Sequence, residues 1–167
     1  GFVLHSNWIV QNGVYYALLT LMRFIIIRGA EKNEEDKALK LSSIILSISS
    51  FHYLLMVLEM YLHTSSPHYP GYIVYVASLY AFIKVGVAIK GCIKLKITAT
   101  PAIVAGNNLK ISHAFVSLIF LESGMLNIFG EGTEEERLIL LISGLVVVAY
   151  LFVSGPLLIV WNKRNKG

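Results

Sequence analysis

The sequence predicts an all-helical, polytopic transmembrane bundle of five membrane-spanning helices, with the N-terminus outside and the C-terminus in the cytoplasm. Three observations predict it. Hydrophobic residues make up 56% of the 167 positions and charged residues 14%, with a mean hydropathy of +0.67, a balance too apolar for an ordinary soluble domain. The charges are gathered in short blocks, and the apolar runs between them are about 20 residues long, enough to cross roughly 30 Å of hydrocarbon. The basic residues also alternate in side. Arg28, Lys32, Lys37 and Lys40 follow the first run, Lys90, Lys94, Lys96 and Lys110 surround the connection between the third and fourth, and Lys163, Arg164 and Lys166 close the chain, whereas the opposite side has only Arg137. Basic loops stay cytoplasmic, and that sets the orientation.

The spans fall at about residues 7–28, 34–62, 71–94, 101–129 and 134–161, in a single domain covering 1–167. In the first, Ser6 or Asn7 suits an N-cap and Gly29 a C-terminal stop. At 100° per residue Asn12, Tyr16 and Arg23 form a polar stripe beside the small residues Gly13, Ala17 and Thr20, a pattern that packs on another helix. Asn33 caps the second helix, with Glu34, Glu35 and Asp36 in its first turn where the helix dipole favours acids. The hydroxyls of Ser42, Ser43, Ser47 and Ser50 suit close helix packing, and Ser49, His52, Met56 and Glu59 share one face. Pro70 suits the first turn of the third helix, in which Ala77, Ala81, Lys84, Ala88 and Gly91 lie within one narrow sector. Thr100-Pro101 opens the fourth, and Thr133-Glu134-Glu135-Glu136 has the T-x-x-E form of a capping box at the start of the fifth, which Gly155-Pro156 should interrupt with a kink.

Two charges stand deep in apolar spans, Lys84 and Glu122. A charge near the centre of a lipid-spanning helix costs roughly 2.5–3.5 kcal/mol on insertion scales, so it normally faces protein and has a partner. Lys84 lies on the small-residue stripe of its helix and should face the bundle. On the fourth helix His113, Ser117, Gly124 and Asn127 share one face, and Glu122 points nearly opposite. Taking the third and fourth helices as antiparallel neighbours, the two charges differ in depth by about 8 Å, and their side chains lean toward each other. They are therefore expected to form a buried polar pair, with Arg23, His52, Glu59, His113 and Asn127 as secondary polar positions.

Other functions find no support in the residues. No basic face with interleaved aromatics lies outside the spans, which argues against nucleic acid. The lone Cys92 makes no internal disulfide, and His63 and His68, which with Glu59 would be the candidate metal ligands, are separated by four residues across a proline turn and not along one helix face, which argues against a metal site. HExxH and G-x-S-G are absent, and Glu134-Glu135-Glu136-Arg137 lacks the spacing of a CAAX-protease-like site. No catalytic residue, metal or cofactor is expected.

The segments SNWIVQNGVYYALLTLMRF in helix 1, YPGYIVY opening helix 3 and SLIFLESGMLNIFG in helix 4 resemble a family of uncharacterised polytopic membrane proteins from clostridia-like Gram-positive bacteria. The resemblance implies a multi-pass protein of the bacterial plasma membrane, and it implies further hydrophobic segments ahead of Gly1. It carries no catalytic residue with it. The expectation is a non-enzymatic interaction, scaffold or regulatory membrane subunit, with the lipid bilayer and other membrane subunits or further copies of itself as partners. The alternative is an ion- or proton-coupled transporter or channel component that uses Lys84 and Glu122.

Overall fold

The structure, a computed structural model, describes residues 2–32, 34–62, 72–97 and 100–164, with the backbone alone for 2–12, 73, 96 and 127. It holds five helices: α1 (Phe2–Glu31), α2 (Glu35–Leu62), α3 (Tyr72–Ile97), α4 (Pro101–Phe129) and α5 (Glu134–Arg164). No strand occurs among the described residues. Each helix contains a stretch long and apolar enough to cross a membrane.

The helix ends follow local chemistry. Thr100 caps α4 by accepting the Ile103 amide at 3.4 Å, and Pro101 takes the first position, where a missing N–H costs nothing. The expected capping box opens α5: the Glu136 amide donates to Thr133 Oγ1 at 3.3 Å, and the Glu136 carboxylate accepts the amides of Glu131, Gly132 and Thr133 at 3.0, 2.9 and 3.3 Å. One side chain therefore ties up the whole α4–α5 turn, with Gly132 in the left-handed region at φ 71°.

Three expectations are corrected. Helix α1 starts at Phe2, ahead of Ser6 and Asn7, and runs through Gly29 to Glu31. Gly29 serves close approach instead of termination, because a Cβ there would stand 2.2 Å from that of Ala38. The Glu34 amide donates back to the Gly29 carbonyl at 2.9 Å, which folds α2 sharply against the end of α1. Asn33 lies outside the described residues, while Glu35 and Asp36 do occupy the first turn of α2. Helix α5 stays helical through Gly155-Pro156, so the proline does not break it, and it runs past Trp161 to Arg164, where Lys163 and Arg164 complement its C-terminal dipole. Helix α3 likewise runs on to Ile97.

Helix α4 touches all four others, and α2 touches all but α3, which packs on α4 alone. Tyr15, Leu19 and Met22 of α1, Leu46 of α2 and Leu151 of α5 are fully buried and pack with Leu109, Val116 and Ile119 of α4. Large apolar side chains line the outward faces, with Phe51, Leu79, Phe82, Val146 and Phe152 all more than 60% exposed.

Small side chains set the helix spacing. Among the serines of α2, Ser42, Ser43, Ser49 and Ser50 are buried, and Ser43 and Ser47 donate to the carbonyls of Leu39 and Ser43 one turn back. Helix α5 meets this face through glycine. A Cβ on Gly144 would stand 2.7 Å from Val57 Cγ1, and one on Gly155 would stand 2.9 Å from the Ser43 carbonyl oxygen. By contrast nothing lies within 4 Å of a Cβ on Gly13. Gly144→Ala or Gly155→Ala should therefore cost about 1–3 kcal/mol by overpacking, read as a lowered melting temperature in detergent. Gly13→Ala should leave it unchanged or slightly raised, because alanine is the better helix former.

Candidate functional site

The polar groups inside the spans form two centres on opposite faces of α4. His113 and Glu122 are nine residues apart, which at 100° per residue places them half a turn around the helix.

Glu122 faces α5, where its Oε2 accepts the Ser143 hydroxyl at 2.8 Å. The same hydroxyl lies 2.9 Å from the Ile139 carbonyl, so its single proton is divided between carboxylate and backbone. Tyr53 of α2 is within electrostatic reach of Glu122, and Tyr15 of α1 packs on Tyr53 with ring centroids 5.6 Å apart. About four turns back along α4 from Glu122, Asn108 Oδ1 accepts the Tyr150 hydroxyl, and Phe115, between them, meets the Tyr150 ring edge-on at 4.9 Å. This centre joins α4, α5 and α2.

The other centre joins α4 to α1 and α3. The Tyr16 ring stacks on His113 at 5.9 Å, and Tyr80 lies within electrostatic reach of Tyr16. Lys84 Nζ sits 4.9 Å from the centre of the Tyr80 ring, a cation–π contact between residues one turn apart. Both Lys84 and Arg23 act on His113 electrostatically. The small-residue face of α3 is the one that packs on α4: Ala77, Ala81, Ala88 and Gly91 are all buried.

The expected Lys84–Glu122 pair does not form. Lys37 pairs instead with Glu34 at 2.8 Å, on the exposed start of α2. There the Lys37 ammonium holds the Glu34 carboxyl below the usual carboxylate range. Two geometric reasons keep Lys84 and Glu122 apart. Gly91 lies against Asn107 and Val74 against Gly124, an antiparallel register that sets Lys84 beside Ala114. That is eight residues, or about 12 Å, along α4 from Glu122, more than the 8 Å of the depth argument. Glu122 is also turned toward α5, away from α3.

Of the secondary positions, Arg23 is exposed on α1, and His52 and Glu59 are half-buried on α2, each engaged by a neighbouring group. Asn127 is in α4 with its side chain outside the described residues, and His63 and His68 lie outside them altogether. Sequence reasoning missed Tyr80 and Ser143. Tyr80 is signalled by its place one turn before Lys84. Ser143 has no such signal, because which helix lies across from Glu122 is a matter of tertiary packing. It also missed the bond that Asn162 Nδ2 donates to Asp36 Oδ1 at 2.8 Å, which joins the end of α5 to the start of α2.

The fold and its polar centres define an all-helical protein with five helices fit to span a membrane. No protein-family model, curated protein or solved structure matches the chain.

A double-mutant cycle tests this arrangement. Glu122→Leu with Ser143→Ala should show coupling of about 0.6–1.7 kcal/mol, the range for hydrogen bonds between membrane helices. Lys84→Met with Glu122→Leu should be additive within about 0.5 kcal/mol. Thermal unfolding in detergent reads both.

Proposed function

We propose that this chain is a multi-pass protein of the bacterial plasma membrane, N-terminus outside and C-terminus inside, that acts through its helix faces as a non-enzymatic interaction or regulatory subunit. Several interior polar groups support this reading by tying helices together in pairs: Glu122 with Ser143, Asn108 with Tyr150, Asn107 with Cys92, and Asn162 with Asp36.

The observation that carries the reading is the outer face of α1. Gly13, Ala17 and Thr20 form a small-residue stripe that is exposed, with open space above Gly13. Small residues on a spanning helix let another backbone come close, and no helix of this chain covers the stripe among the described residues. Another membrane subunit or a second copy of the chain fits there. The Lys and Arg distribution supports the orientation, and the resemblance of helices 1, 3 and 4 supports the bacterial setting.

Two measurements test the proposal. In a Cys92→Ala background, Thr133→Cys should react with an impermeant thiol reagent on whole cells and Lys32→Cys should not; the reverse pattern overturns the orientation. In native membranes, Ala17→Cys should cross-link to a second helix, and Gly13→Leu should abolish the cross-link while leaving the melting temperature of the isolated chain unchanged. If Ala17→Cys cross-links to nothing, and reconstituted vesicles show ion or proton flux that Glu122→Gln abolishes, the transporter reading takes its place.

A further inference from the structure

Helices α1 and α3 both rest on α4 and make no close backbone contact with each other, so a groove runs between them with α4 as its floor. Tyr16, stacked on His113, and Tyr80 approach each other across it. From that level toward the basic end of the bundle the floor is open: nothing lies within 4 Å of a Cβ built on Gly106. Lys110, half-buried, follows one turn from Gly106, its stem running beside Gly91 of α3. Arg23 stands exposed on the α1 wall and Lys84 half-buried on the α3 wall.

These three cations have no acid facing them. The sequence contains no Asp or Glu at 2–30, 72–97 or 100–121, the stretches that build the walls and floor. Glu122, the next acid along α4, is on the opposite face and is bonded to Ser143. Cations within a spanning region are normally paired, so a groove that gathers three of them calls for an anion from outside the chain. Its flanks narrow the choice. The α3 flank beside Lys84 is apolar and exposed at Ile83 and Val87, which suits hydrocarbon and not a hydrated ion. Arg23 lies about 9 Å in from Gly29 near the end of α1, a depth at which headgroups meet acyl chains.

We propose that this groove binds an anionic phospholipid of the leaflet at the basic end, its phosphate held by Arg23 and Lys110 in a field deepened by Lys84, and its acyl chains lying along Ile83 and Val87. Basic pockets between membrane helices are a recurrent form of lipid recognition. The site rests on the membrane-spanning reading above. Failure of that reading appears in the labelling experiment, whereas failure of the lipid site leaves the labelling unchanged.

The test titrates the full chain in neutral detergent with phosphatidylglycerol, phosphatidylcholine or inorganic phosphate, following the melting temperature and, by native mass spectrometry, the bound mass. Phosphatidylglycerol should raise the melting temperature and remain bound, while the other two do neither. Arg23→Gln with Lys110→Gln should weaken phosphatidylglycerol binding about 30-fold. Lys163→Gln with Arg164→Gln, on a helix that touches neither α1 nor α3, should leave it unchanged. Gly106→Leu puts bulk on the floor at a position where a Cβ has nothing within 4 Å. It should preserve the lipid-free melting temperature and lose binding, which keeps the test decisive if the charge variant folds poorly. Equal protection by phosphatidylcholine, equal loss in the α5 control, or full binding by Gly106→Leu overturns the proposal. Full protection by inorganic phosphate overturns it in favour of a soluble anion.

Discussion

The close seam between α2 and α5 is the contact on which the rest of the bundle depends. Val57 sits over Gly144, Ser43 and Ser47 over Gly155, and Asp36 bonds Asn162 at the basic end. Lipid tails are as apolar as leucine, so helices in a bilayer gain little from hiding hydrocarbon and associate instead through close packing and a few polar contacts. Small groups on both helices allow that packing along their length. The seam holds α2 in place, α2 and α1 are folded tightly together through Gly29 and Ala38, and α4 lies across all three.

Helix α4 then works as a partition. One face sends Glu122 to Ser143 and Asn108 to Tyr150; the other carries His113 to Tyr16 and Asn107 to Cys92. Acidic and basic groups in the spans are thereby kept apart, and the two centres answer to different neighbours. The basic side is left without an acid of its own, while the acidic side is closed by a hydroxyl.

What could be read in the sequence was whatever depends on local chemistry and period. The ends of α4, the Thr133–Glu136 box, the half-turn between His113 and Glu122, and the inward face of Ala77, Ala81, Ala88 and Gly91 all follow from spacing within about a turn or two. What could not be read was which helix stands opposite which, and in what register. Lys84 and Glu122 look like partners when α3 and α4 are taken as isolated neighbours at similar depth. The Gly91–Asn107 contact shifts Lys84 to Ala114 and dissolves the pair. Gly29 failed as a stop signal for the same reason: its missing side chain is demanded by Ala38, a residue nine positions on, and not by the helix end.

The α4–α5 turn is fixed by its own residues: Glu136 gathers three amides from within the six residues 131–136, so the turn's shape does not depend on the helices it joins. The Glu122–Ser143 bond spans 21 positions and does depend on how those helices lie together. A turn set locally narrows the ways α4 and α5 can be laid side by side, so the carboxylate of Glu136 at the surface helps to decide which hydroxyl a second carboxylate, within the bundle, will meet.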